Sequence, residues 1–266
     1  MRNHHIFDWH WLMPWRIFAL CGLLTLSGHA GAAPSNEVIE LPSGVQIVSQ
    51  RYAADSGVMA IWLTGQFGRT HEEHKAAADM ADQGVETWIT DMLAPYFLPL
   101  LPSSWSQIPD QDLADWLELV RQRHPDRRIV LISTGRVASV LLRTVESWRD
   151  RFGQGVVEAV DGALLMFPLL YQELSPGQEP EYDPIVDRAR LDVIILQPKS
   201  SAGYWWRDRL KQALEHAGSR VRIDVLPGLR DGFYRRGDIT AQEVAAGERL
   251  GQMLLDAMQT WINKEK

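Results

Sequence analysis

Three stretches of this 266-residue chain hold side chains whose types and spacing could do chemistry. Arg128-Ile-Val-Leu-Ile132 is a short apolar run, and Ser133-Thr-Gly-Arg-Val137 follows it just before a helical pattern begins. A hydroxyl at such a strand-to-helix turn is where a nucleophile can be presented, and Ser133 supplies one. The second stretch, Gln197-Pro-Lys-Ser200, ends another apolar run. The third, Val225-Leu-Pro-Gly228 with Asp231-Gly-Phe-Tyr234, is flanked by Arg230, Arg235 and Arg236. With Arg136 these arginines are expected to form a salt-bridge network around Asp231; the alternative is that one of them meets an anionic ligand. His71-Glu-Glu-His74 lacks the i, i+4 spacing that puts two imidazoles on one metal, so both histidines read as solvated first-turn residues and no metal is expected. His124 precedes Pro125 at a helix end, where a cation suits the local dipole. His216 lies late in a surface helix and is not expected to act as a base.

Positioning these groups takes an alternation of strands and helices. Val45–Arg51 and the nearly continuous apolar run Gly57–Leu63 read as strands, the second buried on both faces. Thr70 and Glu73 form a capping box for the next helix, and Gly84 stops it. Val85–Thr90 is a strand, and the proline-rich stretch Leu93–Pro109 separates it from a helix capped by Asp110. Leu113, Trp116, Leu117 and Val120 recur at helical spacing and form that helix's buried stripe. A helix over Val137–Arg149, strands at Ala163–Phe167 and Asp192–Gln197, a helix over Trp205–His216 and a strand at Arg220–Leu226 follow. Thr240 and Glu243 open one long final helix that reaches Ile262. Strict alternation implies a single α/β domain, a mostly parallel central sheet with helices on both faces.

Composition narrows the function. The chain is 45% apolar with a net charge of −7, which argues against nucleic acid as a partner. Gly65-Gln-Phe-Gly68 lacks the spacing and the Lys of a phosphate loop, and no cofactor is implied. Arg16 is followed directly by the apolar run Ile17–Leu26 and then by the small residues Ser27–Ala33. That order is a secretory signal peptide over residues 1–32, with the globular domain over 33–266 and a periplasmic or secreted location. An uncleaved leader would make a membrane anchor, although its ten to twelve apolar residues are short for a span. Cys21 lies inside the apolar run, which disfavours a lipoprotein. Removing the leader takes two arginines, one aspartate and the only cysteine, leaving a thiol-free chain of charge −8 suited to an oxidising compartment.

Over residues 38–262 the chain resembles the α/β-hydrolase superfamily in pattern and order. Leu63-Thr-Gly-Gln-Phe-Gly68, the capped helix after it and Trp88-Ile-Thr-Asp91 look like the family's oxyanion loop, first helix and next strand. Arg128–Ala138 sits where the family has a strand and nucleophile elbow. Ala213-Leu-Glu-His-Ala-Gly218, Val225–Gly228 and Asp231–Tyr234 are similar to the dienelactone-hydrolase-like branch, whose last histidine lies in a Pro-Gly-x-x-His-Gly-Phe setting. The family's elbow reads Gly-x-Ser-x-Gly, with an acid and a histidine completing the triad. The resemblance places the nucleophile slot on Gly135, the acid slot on Ser200 and the histidine slot on Asp231. Glycine has no nucleophile, and a carboxylate is a poor proton shuttle near neutral pH. The expectation is a non-catalytic hydrolase-fold protein that binds a small molecule or an envelope partner through Gln66, Phe67, Arg136, Tyr204 and Trp205. Tyr96, Phe97 and Trp105 belong to the same end of the sheet. An active esterase using Ser133, which requires sliding the elbow register by two residues, is the alternative, and a structural interaction module is a third.

Overall fold

The computed structural model describes residues 33–55, 57–65, 68–153, 160–172 and 178–263. The leader, together with Gln66 and Phe67, lies outside the described residues. Eight strands form one sheet: β1 (Ser35–Glu40), β2 (Gln46–Tyr52), β3 (Val58–Leu63), β4 (Glu86–Thr90), β5 (Arg128–Thr134), β6 (Val160–Met166), β7 (Asp192–Pro198) and β8 (Arg220–Leu226). Their spatial order is β1-β2-β4-β3-β5-β6-β7-β8. The pairs β1–β2 and β2–β4 are antiparallel, and every pairing from β4 to β8 is parallel.

Sequence pattern explains the layering. Every residue of β3 is apolar and buried, as a strand covered on both faces requires. Side chains alternate between faces along β5: Ile129 and Leu131 join one buried cluster, Val130 and Ile132 the other. Helices α2 (Asp110–Arg123), α3 (Val137–Phe152) and α4 (Ala202–Ala217) supply the first cluster through residues such as Trp116, Leu141 and Leu214. Helix α1 (His71–Asp82) and the C-terminal helices cover the second through Met80, Leu254 and Trp261. Two glycines set how closely that second layer approaches. A Cβ at Gly162 in β6 would lie 2.4 Å from the Trp261 ring, and one at Gly251 would lie 2.8 Å from Asp79 Cβ in α1.

Four expectations need correction. Strand β1 carries only two apolar residues, Val38 and Ile39, and the sequence pattern passes it over; it forms by edge pairing with β2. The final helix is two, α5 (Ala241–Glu248) and α6 (Leu250–Ile262), broken at Arg249 between Gly247 and Gly251, where glycine weakens helix continuity. Pro109 rather than Asp110 is the N-cap of α2, and Asp110 is instead held by the Arg143 guanidinium at 2.5 Å. His124 does cap the end of α2, yet its ring packs edge-on to Trp88 at 5.1 Å, and burial pushes its pKa down, away from the cationic form.

Candidate functional site

Parallel strands leave their C-terminal ends on one crest, where open α/β sheets bind ligands. At that crest β5 stops at Thr134 and α3 begins at Val137, so the chain must reverse within two residues. Gly135 makes the turn in the left-handed region, at φ +56°. Its N–H donates to Met166 O at 3.1 Å, and its carbonyl accepts from Leu169 N at 2.9 Å. The turn is therefore anchored to the end of β6 on both sides. A side chain here would be strained by the backbone but not by space, since a Cβ would meet nothing within 4 Å. Phe167, at the end of β6, is strained in the same sense at φ +39°.

Over this turn lies a cavity of about 370 Å3, whose walls include Gly135, Arg136, Phe167, Leu169, Asp231 and Arg235. The cavity brings the elbow tip and Asp231 together. Burial pushes the Asp231 carboxyl up to about 6, against the weaker pull of the Ser201 hydroxyl and of Arg236 and Arg235. Its Oδ1 is buried without a hydrogen-bond partner. Ser201, not Ser200, is thus the residue in touch with Asp231; Ser200 is exposed, with its N–H donating to Leu229 O at 3.0 Å.

The arginines distribute differently from the expected network. Arg230 and Arg236 converge on Asp238, and Arg230 also holds Glu243, which keeps both acids near 2. Arg235 turns inward: its Nη1 donates to Thr134 Oγ1 at 3.2 Å and lies 3.8 Å from Glu73 Oε1. Its guanidinium also lies over the Phe167 and Tyr234 rings, at 5.4 and 5.6 Å. A Cβ at Gly65 would fall 2.8 Å from Thr134 Oγ1 and 3.1 Å from Arg235 Nη1, so the loop after β3 approaches this closely only as glycine. Glu73 does double duty. It completes the capping box of α1 and accepts the buried Tyr234 hydroxyl at 3.0 Å; burial pushes its own pKa up. Sequence reading found only the cap, because nothing local signals a partner 161 residues away.

Ser133 is fully buried inside β5 and does not line the cavity. Tyr204 and Trp205 sit in the first turn of α4. Tyr204 stacks on Arg207 at 4.0 Å and Trp205 is 79% exposed; neither is among the walls of the crest cavities. His71 is exposed, whereas His74 shares a 2.7 Å hydrogen bond with the Tyr52 hydroxyl. Tyr96 bonds Asp112, and Phe97 is almost wholly exposed.

No protein-family model and no curated protein matches the chain. Solved structures do. A dienelactone hydrolase-like protein from Klebsiella pneumoniae aligns at TM-score 0.58 and 16% identity, over 85% of this chain and 99% of the other. An esterase from Pyrobaculum calidifontis aligns at TM-score 0.63 and 13% identity, covering 87% and 86%. Esterase 2 from Thermogutta terrifontis gives TM-score 0.58 and 14% identity, covering 85% and 94%. With the strand order, the single antiparallel interruption at β2 and the turn at Gly135, these likenesses show that the chain has the α/β-hydrolase fold.

Proposed function

We propose that this protein is exported, keeps the hydrolase fold without its chemistry, and binds a small molecule in the cavity over Gly135. One observation carries the reading: the elbow turn is intact, at φ +56°, yet its tip bears no side chain. Two carboxyls are among the described walls of that cavity: Asp238 is tied to Arg230 and Arg236, and Asp231 lacks the two ring nitrogens with which an imidazole relays a proton between a nucleophile and an orienting acid. The space left by a missing hydroxyl and a missing ring belongs to the cavity, and about 370 Å3 suits a small ligand. Export rests on the order of charges, apolar run and small residues in the leader. Among the described residues no helix is long and apolar enough to cross a membrane.

The Thermogutta esterase is phosphorylated by paraoxon, so the same reagent serves as a test. Incubating the mature chain with paraoxon and reading its intact mass should give no adduct. A stoichiometric adduct abolished in Ser133→Ala would instead establish the esterase alternative. Export is checked by the N-terminal residue of the protein recovered from its native compartment, expected to be Ala33.

A further inference from the structure

The sheet ends at β8, whose outer edge pairs with no other strand among the described residues. No residue of β8 is buried, whereas every residue of β3 is. Leu226 O turns inward to accept the Lys199 N–H at 2.9 Å, and in a parallel pairing alternate residues share that direction. Val221, Ile223 and Val225 therefore aim their N–H and C=O groups outward. The Lys211 ammonium reaches round from α4 to meet Val221 O at 2.9 Å, which leaves that carbonyl a second lone pair. A row of backbone groups left open in this way is a template for another strand. The side chains alternate as well. Val221 and Ile223 pack against the α4 layer, and Val225, on the same face, is 40% exposed. Arg222 and Asp224 take the other face, where Arg222 Nη2 donates to Ala257 O in α6 at 2.6 Å.

The order of these residues selects the strand that fits. A second β8 laid antiparallel and centred on Ile223 sets Val221 opposite Val225 and Ile223 opposite itself on one face. On the other face Arg222 of each copy stands opposite Asp224 of the second, at positions where opposing Cα atoms are about 4.5 Å apart. Centring on Arg222 or on Asp224 instead would set like charges against each other, so charge as well as apolar pattern fixes the register. Arg222 and Asp224 also bond each other within the chain at 2.9 Å, yet both stay exposed, and only Nη2 of the guanidinium is engaged among the described residues. The ion pair can therefore extend across the edge without being broken. The opposite edge of the sheet offers no such match: β1 carries Glu37 and Glu40 and no cation, and Arg123 covers Val38 O at 2.6 Å. We propose that the free edge of β8 is a self-association surface, joining two copies of this chain about a two-fold axis into one continuous sheet, with Arg222 of each copy on Asp224 of the other. The proposal goes beyond the binding reading at Gly135 and does not depend on it.

Charge complementation tests this. Sedimentation equilibrium of the mature chain, from micromolar to submillimolar concentration, should resolve a monomer and a particle of twice its mass. Arg222→Asp and Asp224→Arg each set like charges opposite one another, and each variant alone should self-associate at least about tenfold more weakly. Mixed in equal amounts, the two should form a heterodimer at least as tight as the dimer of the unaltered chain. Damage confined to folding would not be repaired by mixing. A chain that stays monomeric throughout the range overturns the proposal and assigns Lys211 to guarding the edge. A dimer indifferent to both substitutions overturns it, as does a mixture that stays monomeric. Should either variant fail to fold, amide exchange of the unaltered chain gives the answer. The N–H groups of Ile223 and Val225 should gain protection as the dimer fills, and fast exchange there within a dimer would place the interface elsewhere and overturn the proposal.

Discussion

The proposed change of use turns on the side chain of Asp231. A carboxyl raised to about 6 is paying for burial that an imidazole in that slot would have met in its neutral form. The native carboxyl binds its proton more tightly than the unfolded one, so the native state holds more protons between about pH 4 and 6. Stability contributed by this group is therefore greatest below that window and falls as pH rises through it. Asp231→Asn should make the protein more stable at pH 7.5 by on the order of 1 kcal/mol, a figure reduced for the partial solvent access of the site. The advantage should vanish by about pH 4, as read from urea midpoints at the two pH values. An asparagine variant less stable than the parent at pH 7.5 would mean that Arg235 and Arg236 hold the charged form more firmly than burial opposes it. Legibility at this scale was uneven. Gly135 was readable because a turn between an apolar run and a helix fixes positions by counting, and Asp231 because the resemblance to a Pro-Gly-x-x-His-Gly-Phe setting marks its position. Arg235, Glu73 and Tyr234 were not, since their meeting depends on chain closure over more than 150 residues.

At the scale of elements, glycines distinguish a turn that tolerates a side chain from a packing contact that does not. Gly135 has an unusual φ and free space, so Gly135→Ala should cost only the left-handed penalty of about 1 kcal/mol. Gly162 has ordinary backbone but sits beneath Trp261 and 2.6 Å from Asp192 O. Gly162→Ala should therefore cost about 3 kcal/mol, the upper part of the usual overpacking range, because neither a backbone carbonyl nor a buried indole can yield cheaply. Urea denaturation of the two variants orders them; a Gly135 variant less stable than the Gly162 variant would contradict the packing described here. The strands buried on both faces were evident as apolar runs, and the capping boxes at Thr70 and Thr240 both form. Edge strand β1 and the break at Arg249 both escaped sequence reading. The strand is set by β2 alongside it rather than by its own pattern, and Gly247 and Gly251 weaken the helix where Gly251 comes close to Ala76 and Asp79 of α1, a contact no local pattern announces.

For the whole molecule, fold and chemistry separate. The sheet order, the crest and the elbow turn need apolar runs and a left-handed residue, and none of these depends on a reactive group. On the reading proposed above, a scaffold without its nucleophile remains stable while its crest serves binding in the cavity over Gly135. If the missing groups are what silences it, restoring them should restore reactivity in place. The measurement is the intact mass and adduct position after paraoxon treatment of the unaltered mature chain and of the triple variant Gly135→Ser, Asp231→His, Ser201→Asp. The account predicts no adduct on the unaltered chain and a single phosphoryl adduct at residue 135 of the variant. An adduct on the unaltered chain would contradict it.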